Sequence, residues 1–103
     1  MSRPRYGWWG YVKSMARQYP ARSRRAVSGP EAREQAAVET AIQYTMGLPD
    51  GEERMRLVRR SLLQHTHTLE GAAMEVPCSY ATARRWHKEF LQQIAKAYGL
   101  LQS

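Results

Sequence analysis

The stretch TLEGAAMEVPCSYATARRWHKEFL, residues 68–91, constrains the fold more than any other part of the chain. The Thr68 side-chain oxygen can accept a backbone N–H and cap a short helix, and Glu70 in the first turn complements the positive end of the helix dipole. Pro77 lacks the N–H needed to continue the ladder and biases Val76 away from helical geometry, so this helix should end near Val76. Ser79 is a second cap, and a new helix should begin at Tyr80. Two capped helices separated by about three residues have the spacing of a helix-turn-helix.

The segment MSRPRYG is expected to be extended, because Pro4 and Gly7 break any helix. From Trp8 onward, Trp8, Val12, Met15, Ala16 and Tyr19 recur at three- and four-residue spacing, which places them on one face of a helix while Lys13 and Arg17 point away. Pro20 should stop it. The adjacent indoles Trp8 and Trp9 cannot both face inward fully, and they serve either core packing or a partner-binding aromatic patch. ARSRRAVSG, residues 21–29, is a basic linker that either is solvated or follows a phosphate backbone through Arg22, Arg24 and Arg25. Ser28 and Glu31 have capping-box spacing, with Pro30 where its missing N–H costs nothing, so a helix is predicted over 30–46. Its inward stripe would be Ala37 or Val38, Ala41, Ile42 and Thr45. Asp50 and Glu53 repeat the capping-box spacing after GLPDG, and the next helix should run to about His67. Met55, Val58, Leu62 and Leu63 form its apolar face, and Glu52 with Arg56 is placed for an i,i+4 pair. The last helix should reach Tyr98, where Gly99 terminates it and Leu100 and Leu101 can fold back.

Five helices and no strand follow: an all-α fold, one domain over 1–103, with the C-terminal helix-turn-helix packed on the N-terminal helices. Within it, 1–29 is a basic N-terminal helix and linker, and 52–99 is the helix-turn-helix module. No repeat period or low-complexity tract is present. A single cysteine, Cys78, excludes an intramolecular disulfide, and no apolar run is long enough to span a bilayer, so the expectation is a soluble, cytoplasmic protein without a membrane partner.

Net charge is +7, which points to a polyanionic partner. The seven bases of residues 1–29 meet no acid and equal the whole excess, whereas the remaining chain is balanced. The helix-turn-helix is therefore basic by arrangement. At about 100° per residue, Ala83, Trp86, Phe90, Ile94 and Ala97 fall on one side of the last helix. Ala81, Arg84, Arg85 and Lys88 fall on the other, with Tyr80 at the flank. One α-helix fits a major groove, and arginine can donate two bonds to a guanine edge, so this face has the chemistry of direct readout of double-stranded DNA. Thr68 and Ser79, at the helix starts, join the arginines of the linker as weaker phosphate contacts. His87 lies toward the core side and reads as structural. Ala72 and Ala73 let the two helices approach, and Leu69, Val76 and Cys78 close the core around them.

Neither catalysis nor a cofactor is expected. No glycine-rich phosphate loop, nucleophile–base arrangement or carboxylate pair stands out. His65, His67, Cys78 and His87 are all potential zinc ligands, but residues two apart on a helix do not share a face, so no metal site is expected. His65 and His67 fit better as donors near a helix C-terminus.

The order Leu69, Ala73, Val76, Ser79, Ala83, Trp86 and Leu91 resembles the helix-turn-helix of sigma-factor region four. The strings THTLEGAA, PCS and TARRWHKEF, with GEERM upstream and WGYVK near the N-terminus, are similar to phage late-gene transcriptional activators of the RinA/ArpU type, a likeness that spans most of the chain. The resemblance implies base contacts from Tyr80, Ala81, Arg84 and Arg85, with Lys88 on phosphate or base. It also implies promoter binding and contact with host RNA polymerase in a bacterial cell. One departure is Pro77: many such motifs place glycine in the turn to reach positive φ, which proline cannot adopt. The alternative expectation is a homo-oligomeric phage DNA-packaging adaptor resembling a small terminase subunit, using the same motif on DNA while its other helices build a ring. A membrane-surface role for residues 8–19 would leave the C-terminal module unexplained.

Overall fold

Caps and breaks set the element boundaries in the computed structural model of the chain, which describes residues 7–64, 67–76 and 78–100. Helix α1 spans Trp9–Arg22, α2 Gly29–Met46, α3 Gly51–Val58, α4 Leu69–Glu75 and α5 Tyr80–Tyr98. A π-helical turn over Arg59–Leu63 continues α3, closed by the Gln64 N–H donating to the Arg59 carbonyl at 2.7 Å. Among the described residues there is no strand, so the all-α expectation holds.

The five helices enclose two apolar clusters. The larger joins Val12, Met15 and Ala16 of α1 to Ala37, Val38 and Ala41 of α2. Met55, Val58, Leu62 and Leu63 from the third segment and Phe90, Leu91, Ile94 and Ala95 of α5 complete it. Alanine on α2 lets its backbone lie close to α5, and this is the most extensive helix pairing in the molecule. The smaller cluster holds the α4–α5 unit together: Ala72, Ala73 and Val76 meet Ala83 and Trp86, with Leu69 and Cys78 half-buried at its edge. Leu57 is fully buried in this second cluster, while its neighbours Met55 and Val58 lie in the first. The third helix is apolar on two sides and locks the α4–α5 unit to the body.

Several boundaries differ from those the sequence predicts. Pro20 does not end α1, which continues to Arg22. The missing hydrogen bond is outweighed by tertiary contacts: Arg22 pairs with Glu34 at 2.5 Å, and the Ser23 N–H donates to the Tyr19 carbonyl at 2.9 Å. Neither capping box closes, although α2 and α3 begin where expected. Glu31 is drawn instead to Arg25 at 3.0 Å, and Asp50 accepts from Arg54 Nε at 2.8 Å. The i,i+4 pair on α3 is thus Asp50–Arg54 in place of Glu52–Arg56. The third helical segment stops at Leu63, so His67 is not at its C-terminus. His67 instead faces Glu75 at 3.2 Å, beside Arg60 at 2.8 Å from the same carboxylate, and His65 lies outside the described residues.

Both Trp8 and Trp9 pack half-buried on the larger cluster, their rings tilted at 5.6 Å, so the two indoles share the inward role. At the other end of the chain Ala95 is buried and Ala97 is exposed, the reverse of the expected register. The α4 cluster covers that side of α5 only along its first turns, where Ala83 and Trp86 sit. Gly99 ends α5 at φ 98°, and the Leu100 N–H donates back to the Ala95 carbonyl at 2.8 Å, a left-handed closure that favours glycine. Leu100 is 38% exposed, short of the expected fold-back, and Leu101 lies outside the described residues, as does the N-terminal MSRPRY. Gly51 is held by close approach: a Cβ there would stand 2.4 Å from the Thr45 carbonyl oxygen.

Candidate nucleic-acid interface

The α4–α5 unit is built by its two caps. Thr68 Oγ1 accepts from the Gly71 N–H at 3.1 Å, and Ser79 Oγ accepts from the Thr82 N–H at 3.1 Å. Val76 is extended, at φ −98° and ψ 115°, which turns the chain out of α4. Pro77, whose geometry bears on the aim of α5, lies outside the described residues. The Ser79 hydroxyl also donates to Thr82 Oγ1 at 3.0 Å, so its proton is engaged within the cap. Thr68, by contrast, uses only its acceptor there.

On α5 the buried side holds Ala83, Trp86, Phe90, Leu91 and Ile94, and Ala81, Arg84, Arg85 and Lys88 are exposed. Tyr80 is 47% exposed, and the Arg84 guanidinium rests over its ring at 5.9 Å from the centroid. Among the described residues, Arg84, Arg85 and Lys88 take part in no ion pair. The reason lies across the helix interface. Glu89 is the only acid of α5 and stands four residues after Arg85, the spacing of a helical ion pair. It pairs instead with Arg54 of α3, at 2.5 Å from Nη1. Arg54 also holds Asp50 and lies over the Trp86 ring at 5.6 Å, so the carboxylate is drawn to the flank and the exposed face stays cationic.

The linker arginines have a different fate. Arg22 has a side chain only 11% exposed and is bound to Glu34, with Glu31 at 3.6 Å. Arg25 grips Glu31 with both terminal nitrogens, at 3.0 and 3.2 Å, and holds that carboxyl below its usual range. Burial works against ionisation of Glu34, but hydrogen bonds from Tyr11 and Arg22 hold its carboxyl low as well. Tyr11 also donates to the Tyr98 hydroxyl at 3.1 Å, and Arg33 donates to the Tyr98 carbonyl and stacks on its ring, so the region around Arg22 is a knot of internal pairs. Arg24 alone of the three is exposed and outside the described ion pairs. Periodicity and composition hold no signal for this difference, since each acid comes from another helix or another part of the chain.

His87 sits half-buried between α5 and α1. Burial, then the charges of Lys13 and Arg17, push its imidazole down to about 4, so it is neutral near pH 7. Burial pushes the Cys78 thiol up, away from the thiolate form that reacts or binds metal. A shallow groove beside Tyr80 is lined by Ala73, Cys78 and Met74, and Met74 is 86% exposed. Its place is readable from the sequence once Ala72 and Ala73 are assigned inward. Among the described residues no helix is long and apolar enough to cross a membrane.

Compared with protein-family models, with curated proteins and with solved structures, the chain has no match. What the site can do is therefore argued from its own geometry.

Proposed function

We propose that the protein is a sequence-specific DNA-binding transcriptional regulator, an activator of phage late genes that places α5 in the major groove of promoter DNA and contacts RNA polymerase. The observation that carries this reading is the exposed face of α5, where Arg84, Arg85 and Lys88 stand free because Arg54 has taken Glu89. A cationic helix face presented by a capped two-helix unit suits bidentate donation to guanine edges. Tyr80 flanks it, placed for a phosphate or a thymine methyl. Met74 and the groove behind it offer an apolar contact to a protein such as the polymerase.

The test is selection of bound fragments from phage genomic DNA, followed by footprinting with and without RNA polymerase. Arg84→Ala with Arg85→Ala should abolish discrimination between sites, each bidentate contact contributing roughly 1–3 kcal/mol. A double variant that footprints the same site at the same affinity overturns the assignment. Sedimentation separates the neighbouring possibility: a large ring favours packaging over transcription.

A further inference from the structure

We infer that Lys13 and Arg17 of α1 form a phosphodiester-binding flank to the basic face of α5, gripping the backbone of the same duplex beside the groove that α5 enters. This rests on the DNA-binding reading above and names a contact that the sequence alone assigned to the linker.

Two borders define the α5 face. Around the helix, the exposed side runs from His87 through Arg84, Lys88 and Arg85 to Glu89. At the Glu89 border, Arg54 is neutralised by Asp50 and Glu89, so positive surface stops at α3. At the His87 border stands α1. Its Val12, Met15 and Ala16 share a core cluster with Phe90, Leu91 and Ile94 of α5, and its Tyr11 hydroxyl meets that of Tyr98. Lys13 and Arg17, further along α1, lie within electrostatic reach of His87, which is well back along α5 from Tyr98. The helices thus run in opposing directions, and α1 carries its cations toward the recognition end of α5.

Four residues separate Lys13 from Arg17, so both project from one side of α1. Arg17 is exposed and Lys13 half-buried. Residues 9–22 contain no acid, and among the described residues neither cation has an ion-pair partner. Arg84 is three residues before His87 and therefore its neighbour on the helix surface. The result is one continuous cationic strip, from α1 across His87 to α5, with no carboxylate of its own. Such a concentration of like charge is relieved when a polyanion lies along it.

The measurement is binding of the full chain to a short random-sequence DNA duplex over a range of salt concentrations. Lys13→Gln with Arg17→Gln should make the slope of log affinity against log salt shallower by about 1.8, at about 0.9 for each phosphate no longer neutralised. Arg17→Gln alone should take about half of that, while the charge-preserving Lys13→Arg with Arg17→Lys keeps the wild-type slope. Added duplex should also raise the His87 imidazole in the wild type from about 4, read by NMR titration. An unchanged slope in the double glutamine variant, or an unmoved His87, overturns the inference. If the wild type binds no duplex, or Arg84→Ala with Arg85→Ala binds like the wild type, the reading of α5 falls first. Weaker binding by that variant, with Lys13→Gln and Arg17→Gln binding like the wild type, sinks only the α1 flank.

Discussion

Arg22, Arg24 and Arg25 before α2, and Arg84 and Arg85 in α5, look alike in the sequence, but the fold treats them in opposite ways. Glu31 and Glu34 of α2 come to meet Arg22 and Arg25, which then fasten α1 to α2. In α5 the one acid that could quench the arginines is turned aside by Arg54. Formal charge is thus a poor guide to where a polyanion lands. What counts is whether the fold brings a carboxylate within reach, and here the more acid-free segment of the sequence is the better neutralised in space.

This contrast can be broken from either side. Arg22→Met should cost about 3 kcal/mol of stability, because it strips the partner from a carboxylate whose side chain is only 12% exposed. The denaturation midpoint should fall while the salt dependence of DNA binding stays as it was. A stable Arg22→Met protein with weakened DNA binding makes the two clusters equivalent after all.

Acid titration separates the regions next. His87 is protonated near pH 6.5 in the unfolded chain but only near 4 in the folded one, so its stabilising effect is complete above 6.5 and is lost as pH falls toward 4. That loss should amount to about 2 kcal/mol after allowance for partial exposure. Glu31 and Glu34, held low by their partners, contribute stability that disappears only as pH drops below the ordinary carboxylate range. His87→Gln should therefore flatten the unfolding profile between pH 6.5 and 4 and leave the more acidic limb in place. A profile that keeps its upper limb in this variant argues against uncompensated charge around His87.

The smallest effect concerns Arg54. Arg54→Gln releases Glu89, which then stands one turn from Arg85 and can form the helical pair worth about 0.3–0.5 kcal/mol. Duplex affinity should drop by roughly twofold on that basis. Unchanged affinity means that Glu89 has no influence on the free face.

Local chemistry is legible in the sequence alone. The caps at Thr68 and Ser79 act over three residues, so residue type and spacing suffice to place α4 and α5. Helical period likewise separates Trp86 and Phe90 from Arg84 and Lys88. The linker and α3 are not legible to the same degree, because their outcomes depend on partners distant in sequence. Pro20 reads as a stop until Arg22 is seen held by Glu34. Leu57 falls off the Met55–Val58–Leu62 stripe and reads as surplus until α4 covers it. Glu31 and Asp50 read as helix-capping acids, yet each is captured by an arginine whose approach is set by tertiary packing. The destination of Glu89 is hidden for the same reason, and with it the full reason the α5 face is bare of acid.

The widened turn at Arg59–Leu63 bears on how this chain tolerates change in length. A π-turn accommodates one residue more than an ordinary turn, and here it lets Leu62 and Leu63 both lie inward while Ser61 Oγ donates to the Leu57 carbonyl at 2.9 Å. Deleting one residue within it would restore regular pitch and rotate everything downstream by about 100°. Because α4 follows immediately, that rotation would swing the cationic helix away from its neighbour α1. The extra residue acts as a spacer that sets the heading of the whole C-terminal half.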